Sequence, residues 1–414
     1  MSAQSTIVIL GAGQAGGQAA VSLRQFGHEG PIYLIGDEAA PPYQRPPLSK
    51  DYLKGKLDRD RLYLKPQQFY EDNQITLMTG VSATKIDRAE RRVELSEGEP
   101  IRYDKLIIAT GSRPRPLPLP GADLGNVFDL RTLEDIGQLK PAMQEGNRLL
   151  VVGAGYIGLE AAAVARELGL EVTVLEMADR VLARVTSPVM SEFYEGLHKA
   201  QGVTIRTGVR LKELAGNADG NVSYGMLDDG EKIDCDVALI GIGILPNEEL
   251  AAESGIACKN GILVDRDART NDANVYAIGD CAHRPLIHYG RDGRLESVHN
   301  AIEQGKIAAA HITGRDRPAE DVPWFWSDQY HIKLQIAGLS QGYDDVVVRG
   351  DPANESFAAF YFKGGKLISV DAVNAPAEFL SAKRLIAADA DISPETVADI
   401  SVSMKDIMKA ALAK

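Results

Sequence analysis

Residues 6–26 read TIVILGAGQAGGQAAVSLRQF, and this stretch decides the fold. The run TIVIL predicts a buried strand, and Gly17–Phe26 has the composition of a helix. Between them, Gly11 makes a tight turn, Gly13 lets backbone N–H groups approach a bound group, and Gly16 lets the helix pack closely on the strand. The N-terminus of the helix carries partial positive charge and lies at the same glycine loop, where it would stabilise a bound phosphate. The stretch therefore predicts the opening of a dinucleotide-binding βαβ unit.

The residues that follow complete this unit. A second apolar strand, Ile32–Ile35, leads into Gly36 and Asp37. An acidic residue about 20 positions beyond the glycines normally accepts hydrogen bonds from a ribose. Asp37 is therefore the predicted ribose ligand of this unit.

The same pattern recurs in the middle of the chain. The apolar strand Leu149–Val152 precedes Gly153, Gly155 and Gly158, and a helix is predicted over Leu159–Leu168. A strand at Glu171–Leu175 then ends at Glu176. Two copies of the pattern predict two nucleotide sites or one duplicated fold, and the remaining motifs favour two sites.

Glu176 bears on the choice of nicotinamide cofactor. A carboxylate at this strand end bonds both ribose hydroxyls but repels a 2′-phosphate. The nearest arginine is Arg180, and no arginine follows Glu176 directly. The sequence therefore favours NADH over NADPH.

Two further apolar runs end in small residues. Lys105–Ile108 is followed by Ala109, Thr110 and Gly111, and Val237–Ile240 leads to Gly243. Such strand ends let backbone pass close to a nucleotide, and a plain strand with a glycine turn fits them equally well.

The run VYAIGD places Gly279 and Asp280 at another strand end. There Asp280 can hold a ribityl hydroxyl of a flavin, and the alternative is an Asp that caps the next helix. A helix is predicted from Glu296 to about His311, and its N-terminal dipole would stabilise negative charge on a reduced flavin.

Length and composition agree with a globular protein. The chain has 414 residues, 44% hydrophobic and 25% charged, which suggests two or three domains. A net charge of −13 argues against nucleic acid or an anionic membrane as the partner. Three cysteines without a CxxC pair argue against a disulfide scaffold, a zinc ribbon or a dithiol centre. No secretory signal or membrane span is predicted, so a cytoplasmic protein is expected.

Taken together, the motifs resemble those of the oxygenase-coupled NADH–ferredoxin reductases of the putidaredoxin reductase type, which have a glutathione-reductase-like fold. The resemblance spans nearly the whole chain. It rests on GxGxxG, RPPLSK (residues 45–50), ATG, GxGYIGLE, GxGxxPN, TNDANVYAIGD and WFWSDQY (residues 324–330). The WSDQY element is the most family-specific of these motifs.

The resemblance implies an α/β fold with two Rossmann-like dinucleotide-binding domains and a C-terminal α+β domain. The expected FAD-binding domain comprises residues 1–112 and 241–320. Residues 113–240 form the expected NADH-binding domain, and residues 321–414 the C-terminal domain.

The resemblance also assigns site residues. Positions that match FAD contacts are Ala15, Asp37, Lys50, Val81, Arg131, Asp280 and Val298. The quoted motifs add Gly11, Gly13, Gly16, Arg45, Ala109, Thr110, Gly111 and Gly279 to the FAD set, with Trp326 near the flavin ring. Positions on the NADH side are Gly153, Gly155, Tyr156, Ile157, Gly158, Glu160, Glu176, Arg184 and Gly243.

Three of these residues are expected to surround the reacting ring: Lys50, Glu160 and Trp326. An ammonium group near flavin N5 and O4 favours the electron-rich state, which gives Lys50 a physical role. Glu160 is expected to pair with Lys50 across the domain interface. The alternative for Lys50 is a solvated surface lysine.

Disulfide reductases on this fold need a cysteine pair where this chain has Pro47–Leu53, and peroxidase or oxidase relatives need one cysteine there. No cysteine precedes Cys235. Electrons are therefore expected to leave the flavin without a thiol relay, and the implied acceptor is a [2Fe–2S] ferredoxin that feeds a cytochrome P-450 monooxygenase or a Rieske oxygenase.

Other functions on the same scaffold stay open. They are an NADH oxidase, a rubredoxin or nitrite-reductase-type flavoprotein, and a flavoprotein like the apoptosis-inducing factor. The seven histidines show no ligand spacing, so no metal site is predicted.

Overall fold

The structure is a computed structural model that describes residues 4–413, and these residues form two units. The first unit contains the chain up to Gln44, Asp58–Arg113 and Ile244–Pro323. The second contains Arg45–Leu57, Pro114–Gly243 and the chain from Trp324 onward. The division into FAD-binding, NADH-binding and C-terminal domains at the boundaries given above stays a prediction.

One segment lies in a different unit from the one expected. Arg45–Leu57 was expected in the first domain and belongs to the second unit. It is held there by lysine–carboxylate pairs with the helix Tyr156–Glu167: Lys50 Nζ lies 2.5 Å from Glu160 Oε2, and Lys54 Nζ lies 2.7 Å from Glu167 Oε2. The expected Lys50–Glu160 pair is therefore present, but it lies within one unit.

A five-stranded parallel sheet forms the centre of the first unit. In spatial order its strands are Val275–Ala277, Lys105–Ile108, Ile7–Leu10, Ile32–Gly36 and Ile75–Thr79. The central strand is fully buried and consists of Ile, Val and Leu, as expected for a parallel strand covered on both faces.

The two faces of this sheet have separate cores because side chains alternate along a strand. Ile7 and Ile9 pack with the helices Gln14–Gln25 and Val298–Thr313. Val8 and Leu10 face the opposite core, which includes Ile86, Val93 and Ala251.

The remaining elements of the first unit are short. Its other helices are Gln67–Asp72 and Glu249–Glu253, and its 3₁₀ turns are Arg59–Arg61, Gly279–Cys281 and Ile287–Tyr289. One small sheet consists of the strands Ala83–Asp87, Arg92–Leu95 and Ile101–Arg102. A second consists of Ile262–Leu263, Ala282–Leu286 and Arg291–Gly293. A third pairs Ser112–Pro114 with Ile244–Pro246.

The second unit contains another five-stranded parallel sheet. In spatial order its strands are Thr204–Thr207, Glu171–Glu176, Arg148–Val152, Val237–Ile240 and Val127–Phe128. Its helices are Leu133–Leu139, Tyr156–Glu167 and Pro188–Ala200, with 3₁₀ turns at Pro46–Ser49 and Lys140–Ala142. A three-stranded antiparallel sheet, Leu211–Gly216, Val222–Leu227 and Lys232–Asp234, shares its core.

The C-terminal part of the second unit is an antiparallel sheet with helices. In spatial order the strands are Trp324–Gln329, Ile332–Gly338, Lys366–Val373, Ser356–Lys363 and Asp345–Asp351. The helices are Pro376–Ala387, Pro394–Ala398 and Met404–Leu412, with a 3₁₀ turn at Pro352–Asn354. The predicted fold class, two parallel nucleotide-binding-type sheets and a C-terminal α+β part, is confirmed.

The three predicted helices exist with shifted ends. The helix expected at Gly17–Phe26 spans Gln14–Gln25, and the one expected at Leu159–Leu168 spans Tyr156–Glu167. Both begin inside the glycine motif, so the third glycine lies in the first helical turn. The helix expected from Glu296 to His311 spans Val298–Thr313, because Ser297 caps it by accepting a hydrogen bond from the Asn300 N–H.

Candidate functional site

The first glycine loop, Gly11–Gly16, has the geometry that its sequence predicts. Gly11 has φ = +107°, and a Cβ there would lie 2.1 Å from the Ala109 carbonyl oxygen. A Cβ on Gly16 would lie 1.9 Å from the Gly11 oxygen, so these two glycines are required by the fold itself. A Cβ on Gly13 would meet nothing within 4 Å. Gly13 therefore faces open space and serves no packing contact.

The second glycine loop, Gly153–Gly158, repeats this arrangement. Gly153 has φ = +108°, and a Cβ there would lie 2.4 Å from the Gly241 oxygen. A Cβ on Gly158 would lie 2.2 Å from the Gly153 oxygen, whereas one on Gly155 would meet nothing within 4 Å. The two glycine loops thus have the same geometry.

Both loops fit the pyrophosphate of a dinucleotide. The helices that begin at Gln14 and Tyr156 have no side-chain cap at their N-termini, Gly13 and Gly155. Their first N–H groups and the helix dipole are available to an anion, and the bare glycine leaves room for it. The described residues therefore suit one dinucleotide at each loop.

Asp37 and Val81 lie together at the end of the strand Ile32–Gly36. Asp37 is exposed directly after the strand, as a ribose ligand must be. The Val81 N–H donates to the Gly36 oxygen at 3.0 Å, which places this distant residue beside the same strand end.

Glu176 occupies the matching position in the second unit. Its Oε2 accepts a hydrogen bond from the Ala154 N–H and its Oε1 one from the Ala178 N–H, each at 2.8 Å. These bonds fix the carboxylate beside the second glycine loop. Since a carboxylate oxygen accepts more than one hydrogen bond, both oxygens keep capacity for ribose hydroxyls.

Arg180, the nearest arginine, is held by the protein. One guanidinium nitrogen donates to Ser191 Oγ at 2.6 Å and another to the Ala183 oxygen at 2.9 Å. A guanidinium engaged in this way is poorly placed to clamp a 2′-phosphate beside Glu176.

Four more residues predicted on the NADH side fall in the same unit. Arg184 is exposed, and its side chain lies beside Gly243. A Cβ added to Gly243 would be 3.7 Å from Arg184 Nη2. Gly243 has φ = +112°, a conformation that favours glycine. Ile157 is exposed in the first turn of its helix, and Tyr156 packs its ring on Phe325 with centroids 5.1 Å apart.

The strand end at Ala109–Gly111 is fixed by contacts that the sequence did not reveal. The Ala109 N–H donates to the Leu10 oxygen at 2.6 Å. Thr110 Oγ1 donates to the Asn247 oxygen at 2.7 Å, and Asn247 Nδ2 returns a bond to the Thr110 oxygen at 2.9 Å. Asn247 belongs to the quoted GxGxxPN motif, and that was the only sequence signal for it.

Asp280 lies in the 3₁₀ turn after its strand, and Gly279 precedes it with φ = +78°. Its Oδ2 accepts a hydrogen bond from Ser112 Oγ at 2.8 Å, and its main-chain oxygen accepts one from Arg294 at 2.9 Å. The alternative role as a helix cap is wrong, because Ser297 caps the next α-helix.

The helix that begins at Val298 is tied to the same turn. Gln304 Oε1 accepts a hydrogen bond from the Gly279 N–H at 2.7 Å. A Cβ on Gly279 would lie 2.9 Å from the Ala15 side chain, so Gly279 also adjoins the first glycine helix. The structure thus gathers Ala15, Gly279 and Val298 in one unit, whereas Ser112, Arg294 and Gln304 had not been predicted.

The other predicted FAD contacts belong to the second unit. These are Arg45, Lys50, Arg131 and Trp326. Arg45 Nη1 donates to the Arg131 oxygen at 2.7 Å, so these two predicted residues are in contact.

Lys50 and Glu160 form the most tightly bonded part of the predicted site. Glu160 Oε2 accepts hydrogen bonds from Lys50 Nζ and Ser49 Oγ, both at 2.5 Å. Glu160 is buried, at 1% exposure, and the Lys50 side chain is 15% exposed. Lys50 is therefore not a solvated surface lysine, and its ammonium is held in place by a buried carboxylate.

Trp326 lies in an aromatic cluster on the strand Trp324–Gln329. Its ring centroid is 5.5 Å from that of Trp324 and 6.4 Å from that of Phe325. Lys383 Nζ lies 5.7 Å from the Trp324 ring centre.

The three cysteines are free and unreactive in this fold. Cys235 and Cys281 are buried and Cys258 is partly exposed. Burial raises the pKa of the Cys235 thiol to about 12 and that of Cys258 to about 11, and it also raises the pKa of Cys281. All three are thiols at neutral pH, which is the poorly nucleophilic form.

Across residues 4–413 no cluster of three or more His, Cys, Asp or Glu side chains is placed to hold a metal ion. In the same part of the chain, no helix combines the length and apolar character needed to cross a bilayer.

Comparison with known proteins identifies relatives over the full length. Residues 5–305 match the family described as pyridine nucleotide-disulphide oxidoreductase, and residues 324–408 match the one described as reductase C-terminal. Rhodocoxin reductase of Rhodococcus erythropolis is 46% identical over 400 residues, 97% of this chain and 93% of the relative.

Two solved structures have nearly the same fold. The reductase in the covalent putidaredoxin reductase–putidaredoxin complex aligns with a TM-score of 0.97 and 42% identity over 99% of both chains. The ferredoxin reductase for the CYP199A2 system from Rhodopseudomonas palustris aligns with a TM-score of 0.95 and 44% identity, covering 99% of this chain and 100% of that one.

Proposed function

This chain belongs to the pyridine nucleotide-disulphide oxidoreductase family, and on that premise we propose that it is an FAD-dependent reductase that passes electrons from NADH to a [2Fe–2S] ferredoxin. The enzymes of this family are oxidoreductases that use FAD and NAD(P)H, and this chain is one of them. The observation that carries the proposal is its full-length similarity to a reductase captured with putidaredoxin. The ferredoxin would supply electrons to a cytochrome P-450 monooxygenase or a Rieske oxygenase in the cytoplasm.

In this proposal the first glycine loop holds the pyrophosphate of FAD. Asp37 accepts hydrogen bonds from the adenosine ribose, and Asp280, oriented by Ser112, accepts one from the ribityl chain. When bound, FAD takes two electrons from a nicotinamide and releases them one at a time, which suits a one-electron iron–sulfur acceptor.

The second glycine loop holds NADH. Glu176 is already oriented by two backbone N–H donors, so ribose binding requires no rearrangement of its carboxylate. Its negative charge repels a 2′-phosphate, and Arg180 is engaged elsewhere. These contacts support a preference for NADH over NADPH.

Lys50 has the proposed role of a fixed positive charge beside the flavin. Glu160 and the Pro46 oxygen accept hydrogen bonds from its Nζ at 2.5 and 3.3 Å, which restrict the long side chain to one position. A preorganised charge stabilises developing negative charge without reorganisation cost at the moment of reaction. The three inert thiols leave no cysteine to relay electrons.

The proposal is tested by three measurements on the purified protein. We expect flavin absorbance, anaerobic bleaching by one equivalent of NADH, and rapid reduction of a purified [2Fe–2S] ferredoxin. Fast oxygen consumption without ferredoxin would instead favour an NADH oxidase. Reduction of rubredoxin or nitrite in preference to ferredoxin would favour those alternatives, and DNA binding at physiological salt would favour a role like that of the apoptosis-inducing factor.

A matched pair of lysine variants tests the proposed charge. Lys50→Met should slow flavin reduction by NADH at least about tenfold, since one preorganised electrostatic contact is lost. Lys54→Met is the control, because Lys54 pairs with Glu167 on the same segment and the same helix. Equal rates in the two variants would contradict the role of Lys50.

A further inference from the structure

The WSDQY motif contributes one row of buried side chains to the interior of the second unit. Ser327 and Gln329 are two positions apart on the strand Trp324–Gln329, so they share a face, and both are buried. Tyr330 follows with φ = +55°, which turns the chain back into the next strand. Gln329 and Tyr330 both contact the buried His198 of the helix Pro188–Ala200, and Ser327 contacts Gln329.

These residues form a continuous chain of hydrogen bonds that ends on Glu160. Ser327 Oγ lies 2.6 Å from Glu160 Oε1, and Gln329 Nε2 lies 3.2 Å from Ser327 Oγ. His198 Nε2 lies 2.8 Å from Gln329 Oε1, and the Tyr330 hydroxyl lies 3.2 Å from His198 Nδ1.

The chemistry of each group fixes the direction of this chain. A carboxylate only accepts, so Ser327 donates its hydroxyl proton to Glu160 and accepts from the Gln329 amide N–H. Gln329 Oε1 is then an acceptor, so His198 must carry its proton on Nε2. His198 Nδ1 accepts in turn from Tyr330. Burial lowers the pKa of His198, which agrees with the neutral ring that this pattern requires.

Every donor in the chain therefore points toward the Glu160 carboxylate. Hydrogen bonds aligned in one direction polarise and strengthen one another. The Oε1 oxygen is held by this chain, whereas Oε2 binds Lys50 and Ser49. The orientation of the carboxylate that holds Lys50 is thus determined in part from the C-terminal sheet.

We propose that Ser327, Gln329, His198 and Tyr330 are positioning residues, which orient Glu160 so that Lys50 is held where hydride transfer from NADH requires it. The inference rests on the proposed function for the role of Lys50. In this proposal the WSDQY motif contributes more than Trp326. The Ser327 hydroxyl and the Gln329 amide orient the Glu160 carboxylate, which lies on a different element.

The test compares two buried serines in the holoenzyme. Ser327→Ala should lower the rate of flavin reduction by NADH about tenfold at unchanged KM for NADH, because one hydrogen bond to a charged group is lost. Ser369→Ala is the matched control, since the Ser369 side chain is equally buried and donates to the Ala337 oxygen at 3.0 Å. Ser327→Thr keeps the hydroxyl and should restore the rate.

A second readout does not depend on turnover. Nitrogen-15 NMR of the ¹⁵N-histidine-labelled wild-type holoenzyme should show His198 neutral, protonated on Nε2 and not on Nδ1, and Ser327→Ala should introduce the other tautomer. A wild-type His198 protonated on Nδ1 or on both nitrogens would overturn the proposal, even if Ser327→Ala fails to fold. Equal reduction rates for Ser327→Ala and Ser369→Ala would also overturn it. Loss of the proposed function would instead appear as a wild-type protein that lacks flavin or does not react with NADH.

Discussion

The central glycine of each loop offers a sharp test of which nucleotide binds where. Gly13→Ala and Gly155→Ala are structurally equivalent changes. Gly13 has φ = −89° and ψ = −161°, and Gly155 has φ = −80° and ψ = 179°, conformations that alanine also adopts. An added Cβ meets no atom within 4 Å at either position. The fold therefore tolerates both changes.

The magnitudes follow from this geometry. Each variant should lose only about 1 kcal/mol of stability, from the poorer N-cap preference of alanine. The new methyl group occupies space that a pyrophosphate needs, and a lost hydrogen bond to a charged group costs about 1.5–3 kcal/mol. We therefore expect about 10- to 150-fold weaker binding per bond lost, for FAD in Gly13→Ala and for NADH in Gly155→Ala.

The assay measures both nucleotides in both variants. Bound FAD is quantified by absorbance after gel filtration and its affinity by fluorescence titration, and NADH binding is followed by KM. Gly13→Ala should lose FAD while remaining folded by circular dichroism, and Gly155→Ala should retain FAD with a raised KM for NADH. Gly16→Ala is the steric contrast: its Cβ would overlap the Gly11 oxygen, so the protein should be severely destabilised.

Two outcomes would refute this reasoning. A Gly13→Ala protein that binds FAD with wild-type affinity would remove the first loop from the FAD site. A Gly155→Ala protein that loses FAD and keeps its KM for NADH would reverse the assignment of the two loops.

Three further predictions concern single carboxylates. Glu176→Gln should reduce the ratio of kcat/KM for NADH over NADPH about tenfold, since the charge that repels a 2′-phosphate is removed; an unchanged ratio in steady-state assays would contradict this. Ser112→Ala should release FAD several-fold faster during dialysis, because Asp280 loses the donor that orients it, and equal release rates would argue against that role. Burial raises the pKa of Asp371 to about 6 from 3.8, so the folded state binds this proton more tightly than the unfolded state. The contribution of this proton to the free energy of unfolding is complete below about pH 4, and about 3 kcal/mol of it is lost as the pH rises through about 6. Asp371→Asn should remove that slope in urea unfolding at a series of pH values, whereas an identical slope would show that Asp371 is not its source.

Local sequence signals were sufficient for the two nucleotide-binding units. Their strand, glycine spacing, helix and terminal carboxylate all lie within about 30 residues, the span of a βαβ unit. Gly16 is required by its contact with the Gly11 oxygen, five positions away, so the spacing of these two glycines indicates the geometry. The two helices after the glycine motifs begin three residues earlier than predicted, because caps and first turns depend on bonds that composition does not specify.

Contacts between segments that are distant in the chain could not be predicted from local sequence patterns. Ser112 with Asp280 and Asn247 with Thr110 are each separated by more than one hundred positions, and their residue types are common in turns. The place of the segment Arg45–Leu57 in the second unit could not be predicted from the sequence for the same reason, since it depends on lysine pairs with a helix much later in the chain.

The sequence by itself therefore determined two dinucleotide units and the lack of any cysteine before Cys235, and it predicted the ribose carboxylates, because periodicity and spacing encode short-range geometry. Only the tertiary structure showed how the WSDQY motif acts. Ser327 reaches Glu160 across 167 positions, and the hydrogen bonds that continue from it to His198 connect this strand with a second helix. Such a chain exists only when folding brings each donor within reach of the next acceptor, and no local pattern in the sequence records that distance.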